Sequence, residues 1–144
     1  MKKINKILLA MAGDSRELNL VLEAVRFKNQ LDSSLDIVHV NDLHAGEMSM
    51  MMDSPEKITE TVLLDQLNTY GCQDSLSDAN IIILKNDNYE AAISMLAKDY
   101  NLVILGHRKM GEIRENISDS IDQVIANDVI CPVLVINKDL TPKK

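Results

Sequence analysis

The stretch GHRKMGEIRENISDSI, residues 106–121, carries the residue types from which an anion site is built. It opens with Gly106 after the apolar run Leu102-Val103-Ile104-Leu105 and closes with Ser120 at a helix start, the frame of a phosphate-binding loop. A helix beginning there would offer unpaired amides and a partial positive charge to an anion. The interior runs against this, because Lys109 and Asp119 stand where glycines would let backbone close on a phosphate. A phosphate oxygen about 4 Å from the Asp119 carboxylate would meet a repulsion of about 4 kcal/mol at an effective dielectric near 20. Arg108 and Lys109 offset only part of that, since exposed ion pairs are screened. Asp119 or Ser118 reads better as an ordinary N-cap that takes up the helix amides from within the chain. Neither GxGxxG nor GxxxxGK[ST] is present; Gly106 and Gly111 have the spacing of the second, but Glu112 follows.

Other residues with chemical potential read as structural. Ala12-Gly13-Asp14-Ser15 faintly resembles the glycine-lined SGGxDS loop of adenylating enzymes, without its leading serine and second glycine. A strand-to-helix turn capped by Asp14 or Ser15 accounts for it more simply. An enzyme using Asp14, Ser120 and Mg²⁺ to hydrolyse or transfer ATP is the catalytic alternative, and the missing glycines and P-loop lysine count against it. Met48, Met50, Met51 and Met52, near His44, are soft donors of the kind that bind Cu(I). With no cysteine beside them they read as adaptable packing or contact residues, and no metal is expected. His39 lies in a strand and His107 beside the loop, without a triad-like neighbour in sequence. Cys72 and Cys131 are far apart and read as buried or half-buried thiols. No catalytic residue is assigned.

Composition bounds the possibilities. A chain of 144 residues, 46% hydrophobic and 26% charged, is long enough for one domain with a substantial core, taken as residues 1–144. The opening MKKINKILLAMAGDS holds about seven apolar residues before Gly13, too few for a signal core or a membrane span. A cytoplasmic protein without membrane contact is therefore expected. The net charge of −7 opposes nucleic-acid binding, and one Phe, three Tyr and no Trp could hardly form a base-stacking platform.

The elements that would position these residues alternate. Apolar runs at 6–11, 35–40, 81–84, 102–105 and 133–136 have strand length. Between them, helical spacing joins Leu18, Leu22 and Val25, ending near Gln30. A second helix is expected from the Ser54-Pro55 signal through Ile58, Val62, Leu63, Leu67 and Tyr70 to a stop at Gly71. A third carries Tyr89, Ile93, Leu96, Ala97 and Tyr100, and a fourth Ile117, Ile121, Val124 and Ile125. Strands apolar on both sides and separated by helices imply a parallel sheet covered on both faces. In such α/β sheets ligands sit outside the carboxyl ends of the strands, where strand order reverses.

KILLAMAGDSRELNLVLEAV, DIVHV and NLVILGHRKMGEIRENISDSIDQVIANDVICPVLVIN, in this order and over nearly the whole chain, resemble the universal stress protein family. The resemblance implies a three-layer α/β/α, Rossmann-like fold with a five-stranded parallel sheet in order 3-2-1-4-5. It also implies a homodimer through the fifth strand, Val133, Leu134, Val135 and Ile136, alongside an unidentified protein partner. ATP-binding members carry an Asp after the first strand, a Val ending the second, and a GxxGx9G[ST] loop. These positions fall on Ala12, Val40, Gly106, Lys109, Asp119 and Ser120, so three of the six are replaced. The pattern is similar to the universal stress protein A branch, which lacks the ATP motif and is linked to serine/threonine phosphorylation, making Ser120 the candidate acceptor. The implied function is a stress-response regulatory module with no cofactor; the alternative is a member that binds AMP or ATP weakly through Val40, Gly106 and Ser120.

Overall fold

The structure is a computed structural model that describes residues 4–13, 16–41, 57–107 and 130–137. Five strands form its centre: β1 (Lys6–Ala10), β2 (Ser34–Asn41), β3 (Ile81–Lys85), β4 (Leu102–His107) and β5 (Val133–Asn137). The helices among the described residues are α1 (Leu18–Gln30), α2 (Glu60–Thr69) and α3 (Tyr89–Leu96), the last followed by a 3-10 turn at Ala97–Asp99. Every strand pair is parallel and the order is β3-β2-β1-β4-β5, the fold expected from the sequence.

Alternation along β1 explains the three layers. Ile7, Leu9 and Met11 point to one face and pack with Leu20, Val21 and Ala24 of α1 and Leu63 and Leu67 of α2. Leu8 and Ala10 point to the other, with Val38, Val103 and Ile93 of α3. Since crossovers are right-handed, moving from β1 to β2 to β3 keeps α1 and α2 on one face, and returning from β3 to β4 puts α3 on the other. The direction of winding reverses between β1 and β4, and in sheets of this kind a ligand crevice lies outside the carboxyl ends of those strands.

Several element ends differ from the sequence expectations. Helix α2 starts at Glu60, where Thr59 is the N-cap and its hydroxyl accepts from the Val62 amide; the expected signal at Ser54-Pro55 lies outside the described residues. Ile58 therefore lies outside the helix. Gly71 does end α2: at φ +74° it lets its own amide donate to Asn68 and that of Cys72 to Leu67. Ala97 and Tyr100 follow α3 rather than belong to it. Gly106 and His107 are the last residues of β4, not its exit loop. The expected fourth helix lies outside the described residues. Cys72 is buried and Cys131 half-buried.

Candidate functional site

The crevice is built on the turn after β1. Gly13 sits at φ +80°, in the left-handed region open to glycine, and a Cβ on it would lie 2.9 Å from Cγ2 of Ile58. Ile58 is thus a lid over the turn. The turn is tied by Glu17; the expected caps Asp14 and Ser15 lie outside the described residues. The Glu17 carboxylate accepts from the Ala12 amide at 2.9 Å through one oxygen and from the Gly13 amide at 2.8 Å through the other. Its residue is 0% exposed, so both bonds are shielded from water. The Glu17 backbone amide donates to the Tyr70 hydroxyl at 3.2 Å, and the Gln66 side-chain amide donates to the Gly13 carbonyl. Helix α2 is fastened to the turn in this way.

The end of β2 completes the closure. Asn41, 5% exposed, pairs with the backbone of Ile58 in both directions: Nδ2 donates to its carbonyl at 2.8 Å and Oδ1 accepts from its amide at 3.0 Å. His39 lies alongside, Nδ1 2.7 Å from the Met11 carbonyl oxygen and Nε2 3.2 Å from Oδ1 of Asn41. Both ring nitrogens have a partner, the structural role expected for this residue.

Of the six residues singled out in the sequence, Ala12, Val40 and Gly106 meet at one end of the sheet. Ala12 follows β1, while Val40 and Gly106 are each next to last in β2 and β4, the two neighbours of β1. Ala12 is exposed, and Val40 and Gly106 are half-buried. Gly106 is level with Ile136 of β5. Lys109, Asp119 and Ser120 lie outside the described residues, as do Met48–Met52 and His44.

Sequence reasoning missed Glu17, Asn41, Ile58 and Gln66. For Glu17 a signal existed: with Leu20, Val21 and Ala24 it occupies positions i, i+3, i+4 and i+7 of the inward stripe of α1. A carboxylate on an apolar stripe demands internal partners. Asn41 and Ile58 bind across 17 residues, and no local pattern encodes that pairing. Among the described residues, no group of three or more His, Cys, Asp or Glu side chains is placed to hold a metal ion, and no helix is long and apolar enough to cross a membrane.

A five-stranded doubly wound parallel sheet, with its crevice between β1 and β4, defines a Rossmann-like α/β protein. Residues 3–137 match the model of the universal stress protein family, and the chain belongs to that family. A search of the curated proteins gave no match. Solved structures agree on the fold. A universal stress protein in complex with cAMP superposes with a TM-score of 0.66 at 12% identity, covering 96% of this chain and 100% of that one. Universal stress protein UspA from Lactobacillus plantarum gives 0.61 at 14%, over 95% and 100% of the two chains. The universal stress protein from Archaeoglobus fulgidus in complex with dAMP gives 0.54 at 13%, over 94% and 100%.

Proposed function

We propose that this protein is a cytoplasmic, homodimeric stress-response module that regulates through a protein partner and does not hold ATP in the usual way. The observation that carries the reading is Ala12. It lies just past the carboxyl end of β1, between the ends of β2 and β4 that carry Val40 and Gly106, and offers an exposed methyl where ATP-binding members, by resemblance, present a carboxylate to adenosine. A methyl neither accepts nor donates, so an adenosine placed there lacks its orienting contact. Lys109 and Asp119 compound this on the phosphate side, by bulk and by charge. Among the described residues, the titratable groups at the crevice, Glu17 and His39, already have partners within the fold, which favours a regulatory over a catalytic role.

The deciding measurement is isothermal calorimetry with MgATP. The expected outcome is no binding tighter than about millimolar, equivalent to about −4 kcal/mol or weaker. A micromolar constant overturns the reading. Weak nucleotide binding is the second reading, favoured by the retained Val40 and Gly106 and by fold neighbours described in complex with cAMP and dAMP. Saturable millimolar binding of AMP in the same experiment would select it.

A further inference from the structure

We propose that the outer border of β3, with the groove beside it along α2, docks an extended basic segment of a partner protein, which joins the sheet as a further strand. The inference rests on the reading that the protein regulates through a protein partner, and it gives that partner a surface and a chemistry.

The hydrogen-bond ladder at β3 is open on one side. The Asn80 carbonyl accepts from the Ile37 amide, and the Asn86 amide donates to the Asn41 carbonyl. Even-numbered residues of this stretch therefore bond towards β2, and alternation turns the amides and carbonyls of Ile81, Ile83 and Lys85 the other way. Among the described residues no strand lies beyond β3. Such a row is a template for another chain unless charge, proline or a bulge blunts it. Here Ile81, Ile82, Ile83 and Leu84 are half-buried and apolar, and the one charge is Lys85 at the far end.

A groove of about 450 Å³ gives the added strand a place for a side chain. Leu64, Leu67, Leu76 and Ile81 wall it, and Glu60 and Asp74 line it with carboxylates. Leu64 is 43% exposed, so an apolar side chain laid against it removes apolar surface from water. Ile81 and Ile83 pack on the same cluster as Leu63 and Leu67 of α2, while Ile82 and Leu84 pack on the α3 side. A strand continuing this pleat sends every second side chain to the face of the groove. Its backbone bonds supply affinity whatever its sequence, and the groove selects the side chain.

Charge decides the occupant. Residues 60–80 contain Glu60, Asp65, Asp74 and Asp78 and no Lys, Arg or His. Lys28 offsets one of these, at 4.0 Å from Asp78. A second copy docked antiparallel through β3 would set two such segments on the same face of one continuous sheet, where their fields repel. A partner strand that carries Lys or Arg beside its apolar residues meets a field of the opposite sign, which both steers its approach and fixes its register.

The probe is a fluorescein-labelled, C-terminally amidated peptide, Lys-Val-Arg-Val-Lys-Val-Arg, with Glu in place of every Lys and Arg as its control. Binding to the full chain is read by anisotropy, and its place by NMR of the isotope-labelled protein. The basic peptide should bind saturably and move the amide signals of Ile81, Ile83 and Lys85; the acidic one should not bind. Glu60→Lys/Asp74→Lys should weaken binding about tenfold, the order expected when two exposed attractions become repulsions. Ile83→Pro removes one outward amide and spares the bonds to β2, so it should abolish binding; should it fail to fold, the charge reversal decides. A charge-reversed protein that binds as tightly as the native one overturns the proposal. So do amide shifts confined to β5, and so does silence at millimolar peptide. Micromolar MgATP binding by the native protein instead removes the regulatory reading, whatever the peptide does.

Discussion

Tyr100 shows how single side chains at the other end of the sheet are held. Its hydroxyl donates to Oδ2 of Asp36 at 2.7 Å, Lys6 lies 5.1 Å from its ring centroid, and the residue is buried. Burial first, and the bond to Asp36 second, push the phenol well above its usual range. A folded-state pKa raised above the unfolded one gives stability that is fully present below the ordinary phenol range and is lost as the pH climbs above about 10. The denaturation midpoint should therefore fall with pH in that window, and a measurable part of the fall should vanish in Tyr100→Phe. Equal slopes for the two proteins would contradict the coupling. Burial also raises the thiol of Cys72, which fits a packing residue rather than a nucleophile.

At the scale of elements, the turns carry much of the specificity. The helix α1 ends as α2 does, with the amide of Asp32 donating to Asn29 and that of Ser33 to Lys28, but the left-handed position is Asp32 at φ 49° instead of glycine. Asp32→Gly should raise the unfolding free energy by about 0.5–1 kcal/mol. Gly71→Ala should lower it by about 1 kcal/mol through backbone strain alone, since a Cβ there meets nothing within 4 Å. Gly13→Ala should cost more than Gly71→Ala, because the same strain is joined by the 2.9 Å approach to Ile58. Urea titrations of the three variants read this order directly, and an equal cost at the two glycines would show that Ile58 does not press on the turn. Elsewhere polar side chains do the joining: Nδ2 of Asn19 on α1 reaches the Asn137 carbonyl of β5 at 2.7 Å, and Oδ1 of Asn101 takes the amides of Asn5 and Lys6.

For the molecule as a whole, β5 is the informative border. It is an outer strand of the sheet, and Val135 on it is 42% exposed. An apolar outer strand invites pairing with another chain, which supports the proposed homodimer and gives it a direct test. Sedimentation should show a dimer for the native protein and a monomer for Val135→Lys, whose buried cations would repel or remain unpaired at a twofold contact. A Val135→Lys protein that stays dimeric would place the contact elsewhere.

Much of this was legible along the chain. The strand positions, the stop at Gly71 and the parallel order followed from apolar runs of strand length, helical spacing and a family resemblance that runs over nearly the whole chain. Ala12, Val40 and Gly106 were singled out only through the family resemblance, and the structure places them where β1, β2 and β4 end. The start of α2 at Glu60 was not legible, since the cap at Thr59 and the bonds between Asn41 and Ile58 depend on packing that no local signal reports. The sequence by itself thus determined the architecture and which end of the sheet carries the crevice. Only the tertiary structure decided how the turn after β1 is held: Glu17, Asn41, Ile58 and Gln66 act through bonds and contacts that form only once α1, α2 and β2 have packed around it, and periodicity cannot report a partner that folding alone brings near.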